Sequence, residues 1–404
     1  MMLSLLTLAA LQAPAAPAPK LVWRSTTEAR AEQAGDQFGR AVSAGASRAV
    51  VSAWRRDGNL GGADVYRVEK GALVFEAMLS PSDGFQGSMC GTAAHVNETG
   101  DVVVLSALGD DTFGPSAGAA YLFRRQGEAW AEEAKLFAPD ASEHAGFGSA
   151  VVAGDGFVVL GSRGDQALPG LFNSGSLYAY AFDGQQWQFE AKLLLPEPDI
   201  GDGLGSVLDL SGGLLAAGVP SRDNEFGDSA GAVYVYRRGP SGWQVDARVV
   251  PDDLAGGDGF GLSVALDRGQ LLVGSTSSGG ASMAGSVYLF ERGASGWVQR
   301  AKLTAPAPVA FDFFGETLDL RAGLALVSAR ESGPSGSAAV HVYDLLASSP
   351  GWTQTLDVAV PGGLIFANPT VALGGRFALV GEALHGANVA GEPSHVGLYA
   401  RRKR

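Results

Sequence analysis

The sequence predicts an all-β molecule made of seven copies of one four-stranded unit, and three observations predict it. Apolar residues alternate with a period of two, as in Val233-Tyr234-Val235-Tyr236 and Val287-Tyr288-Leu289-Phe290, and no stretch beyond the first twenty residues repeats them at helical spacing. A Gly preceded by Phe or another apolar residue recurs at Phe38-Gly39, Cys90-Gly91, Phe147-Gly148, Leu204-Gly205, Phe260-Gly261, Phe314-Gly315 and, in degenerate form, Phe366-Ala367, at spacings of 52, 57, 57, 56, 54 and 52 residues. Each interval then runs through the same order of strand types. With 58 Gly, 19 Pro and only 18% charged side chains in 404 residues, the composition suits many short strands joined by tight turns.

In chain order, residues 1–18 come first. An apolar run over residues 3–11, too short to cross a bilayer, leads into Ala- and Pro-rich sequence around Ala16-Pro17-Ala18 and reads as an export signal; no cysteine follows it to carry a lipid. The repeat domain then spans 20–402. Each unit opens at its anchor with a strand of small and β-branched residues, as in Gly148-Ser149-Ala150-Val151-Val152-Ala153, and a tight turn leads to a more apolar second strand such as Phe157-Val158-Val159-Leu160. After a long loop the third strand starts at a Gly and alternates with aromatics, as in Gly231-Ala232-Val233-Tyr234. A fourth strand opens on Trp130, Trp187, Trp243, Trp297 or Trp352, with Phe75 expected in that role in the first unit, and closes on Ala-Lys-Leu at Ala134-Lys135-Leu136, Ala191-Lys192-Leu193 and Ala301-Lys302-Leu303.

Four antiparallel strands repeated at this period describe the blade of a β-propeller, seven-bladed here. Inner strands crowd the axis and take Ala, Gly, Ser and Val, whereas outer strands diverge and need Tyr, Phe and Trp to fill the widening gap. The seventh unit supplies three strands only, over 367–373, 375–380 and 395–400. Its missing Trp-led strand lies at the other end of the chain, in Leu21-Val22-Trp23-Arg24, so residues 20–28 are expected to complete the last blade and close the ring.

The Phe-Gly anchor, the long loop and the Gly-led strand resemble FG-GAP repeats, the units of the integrin α-subunit propeller and of many bacterial exported proteins. The resemblance covers about residues 20–402. It implies a secreted, periplasmic or cell-surface location and a role in adhesion or other binding. It also implies a calcium loop of the form Asp-x-Asp-x-Asp-Gly between first and second strands, which this chain lacks. Its hairpins there are minimal, at Gly154-Asp155-Gly156, Ser211-Gly212-Gly213, Asp267-Arg268-Gly269 and Leu373-Gly374-Gly375, too short to offer six or more oxygens, so no calcium or other cofactor is expected.

A net charge of −13, with basic residues clustered only at Arg401-Arg402-Lys403-Arg404, excludes nucleic acid as the expected partner. In an up-and-down blade the long second-to-third loops (162–174, 219–230) and the interblade connections (196–203, 251–259) share one face, and the tight hairpins share the other. Acids concentrate on the long-loop face: Asp36, Asp83, Asp140, Glu143, Glu197, Asp199, Asp202, Asp252, Asp253, Asp258 and Asp312 between blades, with Asp110, Asp111, Asp223 and Asp228 in the loops. Loops on a rigid scaffold are where binding residues gather, so this acidic face is the expected recognition surface for a protein or glycan. The alternative reading is that these acids merely keep an exported monomer soluble.

Other motifs point to structure. Gly114-Pro115-Ser116-Ala117-Gly118 and Gly227-Asp228-Ser229-Ala230-Gly231 match a nucleophile elbow but stand before third strands, with no helix after them. The histidines at 95, 144, 341, 385 and 395 have no metal-ligand spacing, and Cys90 reads as a small buried residue. Arg163-Gly164-Asp165 is a short string that arises easily by chance, and Asn97-Glu98-Thr99 is a glycosylation sequon only in a host that glycosylates such sites. A non-enzymatic exported binding module is therefore expected. Its rivals are a hydrolase or lyase with carboxylates near the axis, or a purely structural envelope protein. Carboxylates or His converging in the central channel with raised pKa values would favour the enzyme, and a broad acidic rim would favour binding.

Overall fold

The computed structural model describes residues 20–28, 36–277, 283–330, 338–347, 350–358, 369–382 and 395–401. The proposed export signal at 1–18, the degenerate anchor Phe366-Ala367, His385 and the basic tail beyond Arg401 lie outside them. The described residues form seven four-stranded antiparallel sheets. Blades one to six occupy 38–79, 90–136, 147–193, 207–249, 263–303 and 318–358. In each of these six, sequence order is sheet order, with the first strand innermost. Among the described residues the helical content is one turn, Arg56–Asn59.

Blade seven combines Thr370–Leu373, Phe377–Glu382 and His395–Arg401 with Leu21–Glu28 as its outer strand. Trp23 stands opposite Tyr399 and Thr26 opposite Gly397, with a bulge at Arg24. The two ends of the chain thus pair as the sequence predicts. Gln354 on the outer strand of blade six stitches this closure, its Oε1 accepting from Leu21 N at 3.0 Å and its Nε2 donating to Leu21 O at 3.0 Å.

The anchor works because it seats one blade on the next. Phe38, Phe147, Phe260 and Phe314 are fully buried, and Phe147 and Phe260 meet Tyr178 and Tyr288 edge to face at 5.4 and 5.5 Å. The Gly after it holds a positive φ against the neighbouring backbone: a Cβ on Gly205 (φ +99°) would stand 2.7 Å from Ser162 N and 2.8 Å from Gly161 Cα. Between blades, Trp130, Trp187, Trp243 and Trp297 each pack onto the core of the preceding blade. Trp130 and Trp187 also donate their indole N–H groups to Glu76 and Glu133.

The pairing corrects one expectation. In blade one the tryptophan register is held by Leu73, which faces Val68 as Trp130 faces Arg125; Phe75 instead faces Tyr66, as Glu132 faces Phe123. Aromatic character suggested Phe75, whereas strand register gives the tryptophan place to Leu73, and both side chains pack against the core between blades seven and one.

Candidate functional site

Two regions hold the residues singled out above, one on the long-loop face and one along the axis. The long loops form a connected collar. At five of the seven anchors the preceding residue donates its N–H to a carbonyl in the loop of the preceding blade: Met89 to Asn59, Gly146 to Ser116, Gly203 to Asn173, Gly259 to Ser229 and Phe313 to Met283. Each of those five acceptor residues has a positive φ of 47–66°. The collar is therefore held by backbone hydrogen bonds that recur blade after blade, and Ser116 and Ser229, the centres of the two elbow-like motifs, are two of its knots.

The acids of this face fall into three groups. Asp36, Asp202, Asp258 and Asp312, each two residues before an anchor, are buried, as are Ser88 and Ala145 at the same repeat position. Three of them brace the connection from inside: Asp202 accepts from Asp199 N at 2.6 Å and Asp258 from Ala255 N at 2.9 Å, as Ser88 Oγ accepts from Phe85 N at 3.1 Å. Burial raises the Asp202 carboxyl even though Arg222 sits 2.7 Å away. Asp110 and Asp165 are also buried, each salt-bridged to the closing Lys of its own blade, Lys135 and Lys192. The Asp of Arg163-Gly164-Asp165 is thus withdrawn from solvent, and it also accepts from Ser176 and Tyr178.

A second group is exposed but paired. Asp83, Asp140 and Asp253 bind Lys135, Lys192 and Lys302 at 2.6–2.9 Å, and such open pairs add little stability. Asp140 is desolvated, which raises its carboxyl, yet Lys192 and Tyr178 hold it below the ordinary value. Asp111 and Asp223 staple their own loops by accepting from Ser116 N and Ser229 N at 2.7 Å. The third group, Glu143, Glu197, Asp199, Asp228 and Asp252, is exposed and forms no ion pair among the described residues.

Sequence reasoning missed the apolar part of this face. Phe85, Phe113, Leu168, Phe172, Ile200, Met283, Val309 and Phe311 all lie in its loops and are 37–63% exposed. Phe113 stacks edge to face on Phe137 at 4.8 Å, and the loops carrying Phe172 and Ile200 are joined through Gly201 N and Phe172 O at 3.0 Å. The signal was available, since these are large apolar residues inside Gly-, Pro- and Asp-rich loops.

The axial lumen, about 670 Å³, opens toward the hairpin face. One repeat position on the inner strands, four residues past the anchor Gly, reaches it in several blades and bonds across to the next blade. There Ser43 accepts from Val96 N, His95 Nδ1 from Ala153 N and Asp209 from Leu266 N, at 3.0, 3.1 and 2.5 Å. Asp319 accepts from Leu373 N at 2.6 Å in the same way. Burial, then the charge of Asp319, pushes the Asp209 carboxyl up to about 8, and burial pushes Asp319 up to about 6 and His95 down to about 4. Arg321 pairs with Glu98 across the mouth. Among the described residues no three His, Cys, Asp or Glu side chains are grouped to share a metal ion.

Asn97 of the sequon is buried and braces a hairpin, accepting from the N–H groups of Gly100, Asp101 and Val102. Cys90 is buried, as expected. Among the described residues no helix is long and apolar enough to cross a membrane. Residues 130–180, 243–290 and 297–343 match the FG-GAP repeat family. No curated protein matches the chain.

Proposed function

Because the chain is an FG-GAP β-propeller protein, we propose that it is an exported, non-enzymatic binding module whose long-loop face recognises a protein partner. The observation that carries this reading is the collar: loops pinned by repeated backbone hydrogen bonds present exposed Phe113, Phe172, Ile200 and Phe311 among unpaired acids such as Glu143, Asp199 and Asp252. A surface ordered before contact loses little conformational entropy on binding. Aromatic and aliphatic side chains ringed by charge are the usual make-up of a protein-binding patch. The apolar share favours a protein over a glycan.

The test is affinity capture from envelope extract with three baits: wild type, a variant carrying Phe113→Ser, Phe172→Ser, Ile200→Ser and Phe311→Ser, and a control with Leu346→Ser on the hairpin face. Loss of captured protein with the fourfold variant alone is expected. Equal recovery by all three baits overturns the reading.

A hydrolase or lyase using axial carboxylates is the second reading, and the raised carboxyls of Asp209 and Asp319 favour it. Both carboxylates, however, already accept two backbone N–H groups each, from Leu266 and Leu210 and from Leu373 and Leu320. That arrangement supports a role in joining blades. Hydrolysis of glycan or ester libraries by wild type but not by Asp209→Asn would favour the enzyme.

A further inference from the structure

We propose that the seam between blades seven and one binds a single-tailed anionic amphiphile with a carboxylate head, a fatty-acid-like molecule. The seam is unlike the four that follow it around the ring. Where Trp130, Trp187, Trp243 and Trp297 wedge an indole against the preceding blade, blade one offers Leu73 facing Val68. Smaller side chains at a fixed blade spacing leave space. A hollow of about 540 Å³ lies there, lined by Val68 and by Phe377, Leu398 and Tyr399 of blade seven. This volume falls within the ~300–1,000 Å³ range of small-molecule sites.

Its charge is the reverse of the molecule's. The chain carries −13, yet the described lining includes Lys70, Arg376 and Arg401 and no carboxylate. Arg24, the bulged residue of the closing strand, adds a fourth cation beside the mouth, its Cδ lying 3.4 Å from where a Cβ on Gly71 would stand. Phe377 and Leu398 are buried at the floor, whereas Lys70 and Arg376 are exposed at the rim. An apolar floor under a cationic rim matches a hydrocarbon tail ending in an anion: the tail is removed from water and the head meets guanidinium groups suited to carboxylate. The hollow lies among the hairpins Ala46-Ser47, Lys70-Gly71 and Gly375-Arg376, on the face opposite the loop collar, so the site stands apart from the protein-binding reading.

Calorimetric titration with decanoate below its micellar concentration tests the proposal, using acetate as the head without the tail and decyltrimethylammonium as the tail with the opposite charge. Decanoate should bind at least tenfold more tightly than either control. Arg376→Glu should weaken it at least tenfold, and Leu73→Trp, which supplies the missing ring at the register of Trp130, should abolish binding without lowering the melting temperature. No binding of decanoate, equal binding of decanoate and decyltrimethylammonium, or full-strength binding to both variants would overturn the assignment.

Discussion

Asp209 sits where charge and structure oppose each other. It holds Leu266 N of the next blade and Leu210 N of its own strand, an arrangement that favours a carboxylate, yet burial and Asp319 push its carboxyl up to about 8 from an ordinary 3.8. Between those two values the folded protein keeps a proton that the unfolded chain has released. Stability contributed by this group is therefore complete below about pH 4 and is lost as pH rises toward 8. Asn keeps the acceptor and removes the charge. Asp209→Asn should match wild type in urea unfolding at pH 4 and exceed it at pH 8 by about 1–2 kcal/mol, given ~1.4 kcal/mol per pKa unit and the water that reaches the lumen. A stability difference that does not change between the two pH values would refute the argument. At this scale the sequence was only partly legible. Asp110, Asp202 and Asp258 look like rim charges because loop acids usually face water, and nothing in a single residue type says that its carboxylate caps backbone N–H groups from within. Aligning the units hints at it: the position two before the anchor admits only Asp, Ser or Ala from Asp36 to Asp312, all small enough to turn inward.

Strands and turns were far more legible, because their cause is periodic. The first strand of blade three was expected over 148–153 and runs Phe147–Ala153; the closing strand was expected over 20–28 and runs Leu21–Glu28. What periodicity could not supply was register across a pair, and so Phe75 was placed where Leu73 stands. The glycines separate these levels by experiment. Gly205 and Gly213 have similar positive φ values, +99° and +79°, but a Cβ on Gly213 would meet nothing within 4 Å whereas one on Gly205 would strike the adjoining strand. Gly213→Ala should cost roughly 1 kcal/mol, the strain of the left-handed backbone alone. Gly205→Ala adds a clash in a packed seam and should cost at least about 3 kcal/mol. Thermal unfolding of the two variants measures this, and equal losses would show that the anchor Gly serves only its own turn.

Closure turns seven marginal sheets into one body, since each blade buries its faces only against its neighbours. An open chain of blades leaves two unsatisfied faces and a free strand edge; the ring removes both by pairing Leu21–Glu28 with His395–Arg401. Deleting residues 1–28 removes that outer strand, bares the hydrogen-bonding edge of the 395–401 strand and takes away Leu21, which is buried among the cores of blades six and seven. Deleting only residues 1–19 leaves the paired strand whole. The longer deletion should broaden the thermal transition and lower its midpoint by well over 5 °C, as expected when a packed face is lost from a domain of this size. It should also drive the protein into dimers or larger species on gel filtration, because the bared edge templates pairing with another chain. The shorter deletion should behave as wild type in both measurements. Gln354→Ala, which loses only the stitch to Leu21, should fall between the two, with a lower midpoint and an unchanged monomer peak. If the longer deletion melts as sharply as the intact protein and stays monomeric, the blades are held by their seams alone, and the strand borrowed from the start of the chain is ornament to a ring that the remaining contacts already close.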